Sequence, residues 1–343
     1  MAFISGLVSQ LGWGVESTAG TAVTVNKFQP HVSESIQKEI NRAQGEGLYG
    51  STNGVALISR HVTTTSSVSG DFEVELTDTG LGTLWRAALG STTSPSNLSG
   101  SAYQAIFTPG DQASAGSSLT VQVGRPQTGG TVKPHTFAGC KVTSFEFGGG
   151  VTDPLNATFS IDGRTETTAT SLATASYVSG QQQFTGADLT VKIGGTASTG
   201  SGKVSISGGT TLSGVKGVTV KGENPLATER FYAGSSGIKS EQVVNGYRTY
   251  EIELDMDYVN SDLYDLFVAN TTTAVQLTWA KTTAITGSYY PTLDVTVAAA
   301  KITTGEVNVD GTDLTPQKIT LTALYDGTNA PLQILTVNTD SSL

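Results

Sequence analysis

The feature that constrains the fold most is a strand–helix unit that occurs twice along the chain. Residues 71–90 have the sequence DFEVELTDTGLGTLWRAALG, and residues 250–270 have the sequence YEIELDMDYVNSDLYDLFVAN. In both, apolar residues alternate with glutamates, which is the pattern of a half-buried strand with one acidic side. Apolar residues then recur at helical spacing up to Gly90 and Asn270, residue types that tolerate the left-handed conformation at a helix end. The sequence therefore predicts a strand and a short helix in each unit.

Two further pairs of similar segments flank this unit, in the same order in both halves. Upstream, LYGSTNGV in the first half resembles FYAGSSGI in the second. Downstream, the segment that begins at His135 resembles the one that begins at Val295. Three blocks in a fixed order indicate a tandem duplication, with two copies rather than the three or more of a solenoid. We therefore expect two β-rich domains, residues 1–171 and residues 172–343.

The composition agrees with two β-rich domains and excludes some partners. A chain of 343 residues has room for two domains of ordinary size. Hydrophobic residues make up 37% and glycine is abundant at 41 residues, a mix that suits twisted strands and turns better than long helices. The 19 basic residues are outnumbered by 29 acidic ones, for a formal net charge of −10. Such a protein repels phosphate backbones and anionic membranes, so a base-reading nucleic-acid binder and a membrane partner are disfavoured.

Nothing in the sequence predicts an enzyme, a metal site or a cofactor. His31, His61 and His135 lack the spacing of metal ligands, and the small apolar neighbours of Cys140 suit a buried structural thiol. No GxSxG, HExxH or phosphate-loop motif occurs. Cys140 is the only cysteine, so nothing marks an oxidising compartment. The amino-terminal residues lack the pattern of a signal peptide and no apolar run is long enough to span a membrane, so we expect a soluble protein of the cytoplasm.

Both halves carry a long polar segment before the strand–helix unit. Residues 37–70 show no sustained period, and their counterpart is residues 222–246. Ordinary connections are short, so a stretch of this length is usually a functional or a disordered loop. The small, polar residues 165–179 predict a linker between the halves. The apolar pattern predicts strands at residues 27–36, 119–123, 141–147, 155–161, 189–193, 203–207, 215–221, 274–279, 292–298, 302–309, 317–325 and 331–338.

Four segments along the chain carry a resemblance to a known family. They are GWGVESTAGT at residues 12–21, the glycine-capped helix at 82–90, FTPG at 107–110 before the strand LTVQVG, and the hairpin at 139–163. Together they resemble the tail tube proteins of long-tailed bacteriophages, especially the larger, internally duplicated members. The likeness covers nearly the whole chain, in pattern and order. It implies a mainly β fold made of two tandem β-sandwich or half-barrel domains, each with one short flanking α-helix.

The resemblance also implies a function. Proteins of this family polymerise into stacked rings that form the tail tube, a hollow conduit for DNA ejection, so this chain is expected in the virion tail after assembly in the host cytoplasm. Its partners are then other copies of itself, the tape-measure, tail terminator and baseplate proteins, and DNA in transient, non-sequence-specific passage. A duplicated domain lets three chains supply six similar wedges, so we expect a trimeric ring with pseudo-sixfold symmetry, with a hexameric ring as the alternative.

Two groups of residues are the candidate sites under this hypothesis. We expect six acidic residues to face the lumen and repel DNA: Glu73, Glu75, Glu146, Glu251, Glu253 and Glu306. The alternative is an ordinary solvent-facing side of an amphipathic strand. We expect the long loops to contact the next ring through Arg42, Tyr49, Arg230 and Tyr232. The alternative is that both tyrosines pack on their own domain.

Two other classes of function share parts of this pattern. A capsid decoration protein, a baseplate component or a fibre module is compatible with the composition, but the matched long loops of the two halves favour the tube. A carbohydrate-active enzyme or lectin with a β-sandwich needs aromatic and acidic residues clustered in one groove, and the 3 tryptophans do not indicate such a platform. A structural virion protein is therefore the function that we expect.

Overall fold

The computed structural model of the chain describes residues 5–45, 60–112, 118–309 and 311–343. Within these ranges the protein is mainly β, and the prediction of a β-sandwich with one short α-helix in each half is confirmed. The first half contains α1 (Gly82–Leu89) and the strands β1 (Gln10–Val15), β2 (Lys27–Phe28), β3 (His31–Glu34), β4 (Gln37–Gln44), β5 (His61–Glu75), β6 (Gly90–Thr92), β7 (Ser96–Ser99), β8 (Ala102–Pro109), β9 (Leu119–Gln127), β10 (Thr131–Gly150), β11 (Asn156–Gly163) and β12 (Thr165–Thr167). The second half contains α2 (Asp262–Val268) and the strands β13 (Leu189–Ile193), β14 (Thr196–Gly200), β15 (Lys203–Ser207), β16 (Thr210–Thr211), β17 (Val215–Glu223), β18 (Leu226–Ala227), β19 (Val243–Val244), β20 (Thr249–Asp257), β21 (Thr273–Ala280), β22 (Thr292–Thr304), β23 (Pro316–Ala323) and β24 (Gln333–Asn338).

The two helices follow the predicted strands but differ in burial. Six of the eight residues of α1 are buried, whereas Leu263 is the only buried residue of α2. α1 ends at Gly90, which has a left-handed φ of 92° and donates its N–H to the carbonyl of Arg86. α2 is followed by Asn270 with a φ of 50°. Both helix ends therefore use the residue types that the sequence predicts. No helix in the described ranges is long and apolar enough to cross a bilayer.

Seven strands from both halves form one antiparallel sheet, here called the long sheet. Its order is β5, β11, β10, β17, β20, β23 and β22, and β3 and β4 pair with the outer side of β5. The pairing of β10 with β17 joins the two halves, from Ser144 opposite Glu223 to Gly150 opposite Gly217. Gly148 permits this close approach, because a Cβ there would lie 2.0 Å from the carbonyl oxygen of Val218.

A second layer of strands packs on the apolar side of the long sheet. In the first half it contains β2, β1, β9, the beginning of β10, and β12. In the second half it contains β16, β13, β21, the beginning of β22, β24 and β8. The predicted carboxy-terminal strand, β24, pairs with β22 on one side and with β8 of the first half on the other. This pairing interlocks the two halves.

A hydrophobic core lies between the layers and extends through both halves. Trp85 of α1 packs on Phe145, Phe147 and Phe159, with ring centres 5.1 to 6.1 Å apart. Such aromatic pairs contribute about 0.5–1.5 kcal/mol each beyond the burial of their area. Because the three phenylalanines belong to β10 and β11, this packing fixes which side of the long sheet faces away from the core.

The prediction of a loop over residues 37–70 is wrong for the described part of that segment. β4 and the beginning of β5 form an antiparallel hairpin there, from Gln37 opposite Ser69 to Gln44 opposite His61. All eight residues of β4 are exposed. Apart from Val68 of β5, no residue of the hairpin is buried in the single chain, so the sequence needs no sustained apolar alternation and the period-two signal is absent.

Candidate functional site

Polar and acidic side chains line one side of the long sheet across both halves. Glu73 of β5 lies opposite Thr158, which lies opposite Glu146 of β10. The row continues across the junction of the halves to Lys221 of β17 and Glu251 of β20. Directly opposed residues of an antiparallel pair point to the same side of a sheet, so these five side chains share one side.

We call this side of the long sheet the acidic face. Its charged residues include the carboxylates Asp71, Glu73, Glu75, Glu146, Glu223, Glu251, Glu253 and Asp255 and the lysines Lys221, Lys301 and Lys318. Alternate residues of the same strands, such as Phe72, Phe145 and Ile252, are buried in the core on the other side. Negative charge therefore predominates on one continuous surface that both halves build.

The structure brings five of the six predicted acidic residues together on the acidic face. Glu306 is the exception, because it lies beyond the end of β22, where its exposed carboxylate accepts a hydrogen bond from the N–H of Gly305 at 3.2 Å. Asp71, Glu223 and Asp255 belong to the face and were missed by the sequence analysis. Asp71 and Asp255 continue the alternation of β5 and β20 by one step each, so a longer period-two count would have found them.

Two lysines neutralise part of the acidic face around Glu253. Lys221 Nζ lies 2.8 Å from one carboxylate oxygen of Glu253 and 3.9 Å from the carboxylate of Glu146. Lys318 Nζ lies 3.3 Å from the other oxygen of Glu253. The hydrogen bond from Lys221 lowers the pKa of Glu253, and the same bond raises the pKa of Lys221. Glu73 instead accepts hydrogen bonds from a neutral hydroxyl and a neutral amide, so its charge is not balanced by a lysine.

The strand register shows which acidic residues occupy corresponding places in the two halves. β10 contains a bulge after Val142, and β22 contains one after Ile302. In the first half, Ser144 follows the bulge, and Asp71 lies two strands away from it, across β11. In the second half, Thr304 follows the bulge, and Glu253 lies two strands away from it, across β23. Glu73 therefore corresponds in position to Asp255 and not, as the similar sequences of β5 and β20 suggest, to a glutamate.

The four predicted loop residues are not brought together. Arg42 lies exposed on β4, and Tyr49 lies outside the described residues. Arg230 and Tyr232 lie between β17 and β20, where the guanidinium carbon of Arg230 is 5.8 Å from the ring centre of Tyr232. Arg230 also donates to the carbonyl of Glu241. Tyr232 is 57% exposed, so much of its surface is open to solvent in the single chain.

Residues 224–248, which connect β17 to β20, pack on the first half of the chain and are here called the covering segment. The side-chain amide of Asn224 donates to the carbonyl of Ala88, near the end of α1, at 2.7 Å. The N–H of Ser66 on β5 donates to the carbonyl of Gly237 at 2.9 Å. The second half therefore contacts the first well beyond the pairing of β10 with β17.

A buried polar cluster fastens the covering segment to β10 and β11. Lys141 Nζ donates to the carboxylate of Glu241 at 2.7 Å and to the carbonyl of Gln242 at 2.9 Å. Lys239 forms an ion pair with Asp162, and the amide of Gln242 donates to the other oxygen of that carboxylate at 2.7 Å. Burial raises the pKa of Asp162, and the hydrogen bond from Lys239 opposes this shift. No sequence motif predicts this cluster, because its partners lie 77 to 101 positions apart.

Other chemistry-bearing groups of the described ranges lie outside the acidic face. No three His, Cys, Asp or Glu side chains there are arranged to hold a metal ion. Cys140 is fully buried, and this burial raises the pKa of its thiol. A groove of about 680 Å³ opens beside α2, with Asp262 and Asp265 on its wall. The acidic face is therefore the candidate functional site.

Comparison with known proteins identifies a family. A family model described as phage tail tube protein matches residues 6–323. No curated protein matches the chain.

Proposed function

The chain belongs to the phage tail tube protein family, and from this premise we propose that it polymerises into stacked rings with the acidic face lining a lumen through which DNA passes. Family membership makes the protein a structural component of the phage tail, and it implies assembly into a tube with other tail components. Our proposal goes beyond family membership in three respects: the stacked rings, the lining of the lumen and the passage of DNA.

The observation that carries this proposal is the continuity of the acidic face across both halves. Carboxylates outnumber lysines on one side of a sheet whose other side is core. A wall of this charge repels the phosphate backbone, so DNA slides along it without binding. An ordinary solvent-facing side would not need the same sign of charge on strands from both halves.

We also propose that the halves are tandem copies, residues 1–171 and 172–343, and that a ring contains three chains. The similar paths of β10 and β22 support this, because both run between the two layers and both contain a bulge, after Val142 and after Ile302. Since both halves contribute to the long sheet, three chains would supply six such units around an axis. A ring of six chains is the alternative.

The remaining expectations follow from the tube. Arg42, Tyr49, Arg230 and Tyr232 are proposed to contact the neighbouring ring, and the exposure of Tyr232 supports this for the covering segment. The tape-measure, tail terminator and baseplate proteins are the proposed partners at the inside and the ends of the tube. Assembly is proposed to take place in the host cytoplasm.

Negative-stain electron microscopy of the concentrated protein, with rotational averaging of end-on views, tests the proposal. Hollow tubes with three chains per ring support both the function and the pseudo-sixfold symmetry. Tubes with six chains per ring support the function and contradict the trimer. Globular particles without tubes contradict the proposal and favour a decoration or baseplate protein.

The lining of the lumen is tested by reversing its charge. Glu73→Lys combined with Glu251→Lys places cations on the acidic face in both halves. When tubes assemble with short DNA fragments and are then treated with nuclease, we expect these tubes to retain protected DNA at low salt and wild-type tubes to retain none. The control Glu229→Lys changes an exposed residue of the covering segment, so any DNA bound there should be digested. Equal protection in both variants, or protection in neither, contradicts the lining.

A further inference from the structure

The first half of the chain is joined to the second along one strand edge of the long sheet. There β10 is paired with β17, and Glu146 lies opposite Lys221. Gly222 lies opposite Phe145 in the same pair, and a Cβ on Gly222 would lie 2.3 Å from that ring. The pairing is therefore a close-packed contact, and it leaves no free edge on this side of β10.

Residues 184–188, which follow the linker, cover a second surface of the first half. Phe184 donates its N–H to the carbonyl of Leu76 at 2.9 Å and accepts a hydrogen bond from the N–H of Leu155 at 2.9 Å. Its side chain is 2% exposed. The next residue, Thr185, forms a bridge with Pro154 and precedes a 3₁₀ turn at Gly186–Asp188. The contacts of residues 184–188 and the pairing of β10 with β17 together are here called the internal junction.

The second half has surfaces that correspond to those that the internal junction covers on the first half, but here they are uncovered. In the part of the chain that the structure describes, no strand pairs with the outer edge of β22 after Thr304, and Val309 is 77% exposed. Tyr258 donates its N–H to the carbonyl of Thr315 at 2.9 Å, as Leu76 does to Leu155 in the first half. Leu314 is 75% exposed beside this pair. An open strand edge flanked by exposed apolar residues is a surface for association.

The first half has the matching uncovered segments. β3 and β4 pair with β5 alone among the described strands, so no strand covers their outer edge. At Ile36 this edge is bonded to side chains of its own chain, because the N–H donates to the carboxylate of Glu34 at 3.1 Å and the carbonyl accepts a hydrogen bond from Arg125, so pairing there must displace these two contacts. Near the amino terminus, Ser5 precedes a 3₁₀ turn at Gly6–Val8, as Thr185 precedes the turn after the linker. Leu7 in that turn is 95% exposed. The sequence Ile-Ser-Gly at residues 4–6 also resembles Phe-Thr-Gly at residues 184–186.

We propose that the second half of one copy receives the first half of the next copy through a repeat of the internal junction. Residues 304–309 then pair antiparallel with residues 34–39 of the next copy, and residues 5–8 of that copy cover Leu314. In the internal junction, Glu146 lies opposite Lys221 and Pro154 lies opposite Thr185. When the same register is applied to the corresponding residues, Glu306 lies opposite Gln37 of the next copy and Leu314 lies opposite its Ser5. This inference rests on the proposed ring, and it names the two surfaces and the register by which the ring closes.

The pairing also explains the position of Glu306. Counted from the bulges of β10 and β22, Glu306 corresponds to Glu146, which lies on the acidic face. With Gln37 of the next copy beside it, Glu306 would extend that face from one copy to the next. The free chain leaves it beyond the end of a strand because its partner strand belongs to another copy.

Cysteine cross-linking in assembled tubes tests the register. Glu306→Cys with Gln37→Cys, treated with a short bis-maleimide, should shift the chain from monomer to a ladder of covalent multimers on a denaturing gel. Glu146→Cys with Lys221→Cys is the matched control, because the internal junction holds that pair within one chain, so it should stay monomeric. Glu306→Cys with Asn41→Cys is the off-register control and should give little ladder. The native Cys140 is fully buried and does not interfere.

Ser5→Cys with Leu314→Cys tests the second surface, and Pro154→Cys with Thr185→Cys is its in-chain control. A ladder from both intercopy pairs supports the proposal, and the size at which the ladder ends counts the chains in the ring. Tubes that give no ladder from Glu306→Cys with Gln37→Cys, or more from the off-register pair, overturn the register and leave the proposed function intact. Wild-type protein that forms no tubes overturns the proposed function and this inference with it.

Discussion

Lys239→Met is predicted to destabilise the folded chain by about 3 kcal/mol at neutral pH. The side chains of the Lys239–Asp162 ion pair are only 2% and 10% exposed. Methionine is similar in length but uncharged, so the carboxylate would stay buried without its cation. Removal of one partner from a buried ion pair costs about 3–5 kcal/mol. We expect the lower end of that range because the amide of Gln242 still donates to Asp162 at 2.7 Å.

The loss should depend on pH, because burial raises the pKa of Asp162. A carboxyl group with a folded pKa above its unfolded value stabilises the fold below the unfolded pKa, and this contribution is lost as the pH rises through the folded pKa. Without Lys239 to oppose the shift, the difference in stability between the variant and the wild type should be largest near about pH 7 and small near about pH 4. Urea unfolding followed by tryptophan fluorescence, repeated at both pH values, measures the loss of stability and its pH dependence. A loss of 3 kcal/mol corresponds to a change of about 150-fold in the unfolding equilibrium constant.

Lys318→Met is the matched control for this prediction. Lys318 also pairs with a carboxylate, that of Glu253 at 3.3 Å, but its side chain is 66% exposed. Its loss should be below about 1 kcal/mol. Adding Asp162→Asn to Lys239→Met should recover part of the stability, since the two residues are coupled. The argument is refuted if Lys239→Met loses no more free energy of unfolding than Lys318→Met. It is also refuted if the loss is equal at both pH values, because a buried, unpaired carboxylate costs stability only when it is charged.

Three further outcomes are expected. Because Lys221 lowers the pKa of Glu253, that carboxylate should stabilise the fold above its unfolded pKa, and this contribution is lost as the pH falls through the folded pKa. Acid titrations of the wild type and of Glu253→Gln should therefore differ by less than about 1 kcal/mol in stability, and the difference should vanish at low pH. Burial raises the pKa of the Cys140 thiol, so a thiol reagent should react with it in urea and not in the native protein. Trp85→Ala should cost about 3–5 kcal/mol in urea unfolding, whereas Tyr247→Ala at a 97% exposed position should change stability by less than about 0.5 kcal/mol.

β5 and β20 show what local pattern can predict. Burial of one side of a strand imposes apolar residues at every second position, so the existence of both strands and the acidic character of their outer side follow from Glu73, Glu75, Glu251 and Glu253. The helix ends at Gly90 and its counterpart follow for a similar reason, since the left-handed conformation limits the residue type at one position. β4 could not be predicted in this way, because all of its residues are exposed.

The sequence by itself determined the local features of this protein: the period of its strands, the two short helices, the excess of negative charge and the similarity of the two halves. Only the tertiary structure decided that the acidic sides of both halves form one face, that Glu253 takes the position of Asp71, and that Lys141 meets partners about 100 positions away in the covering segment. The reason is that strands pair through backbone N–H and C=O groups, which almost every residue carries, so side-chain identity says little about which strand lies beside which. Partner and register are set instead by the packing of the whole core, to which residues from both halves contribute.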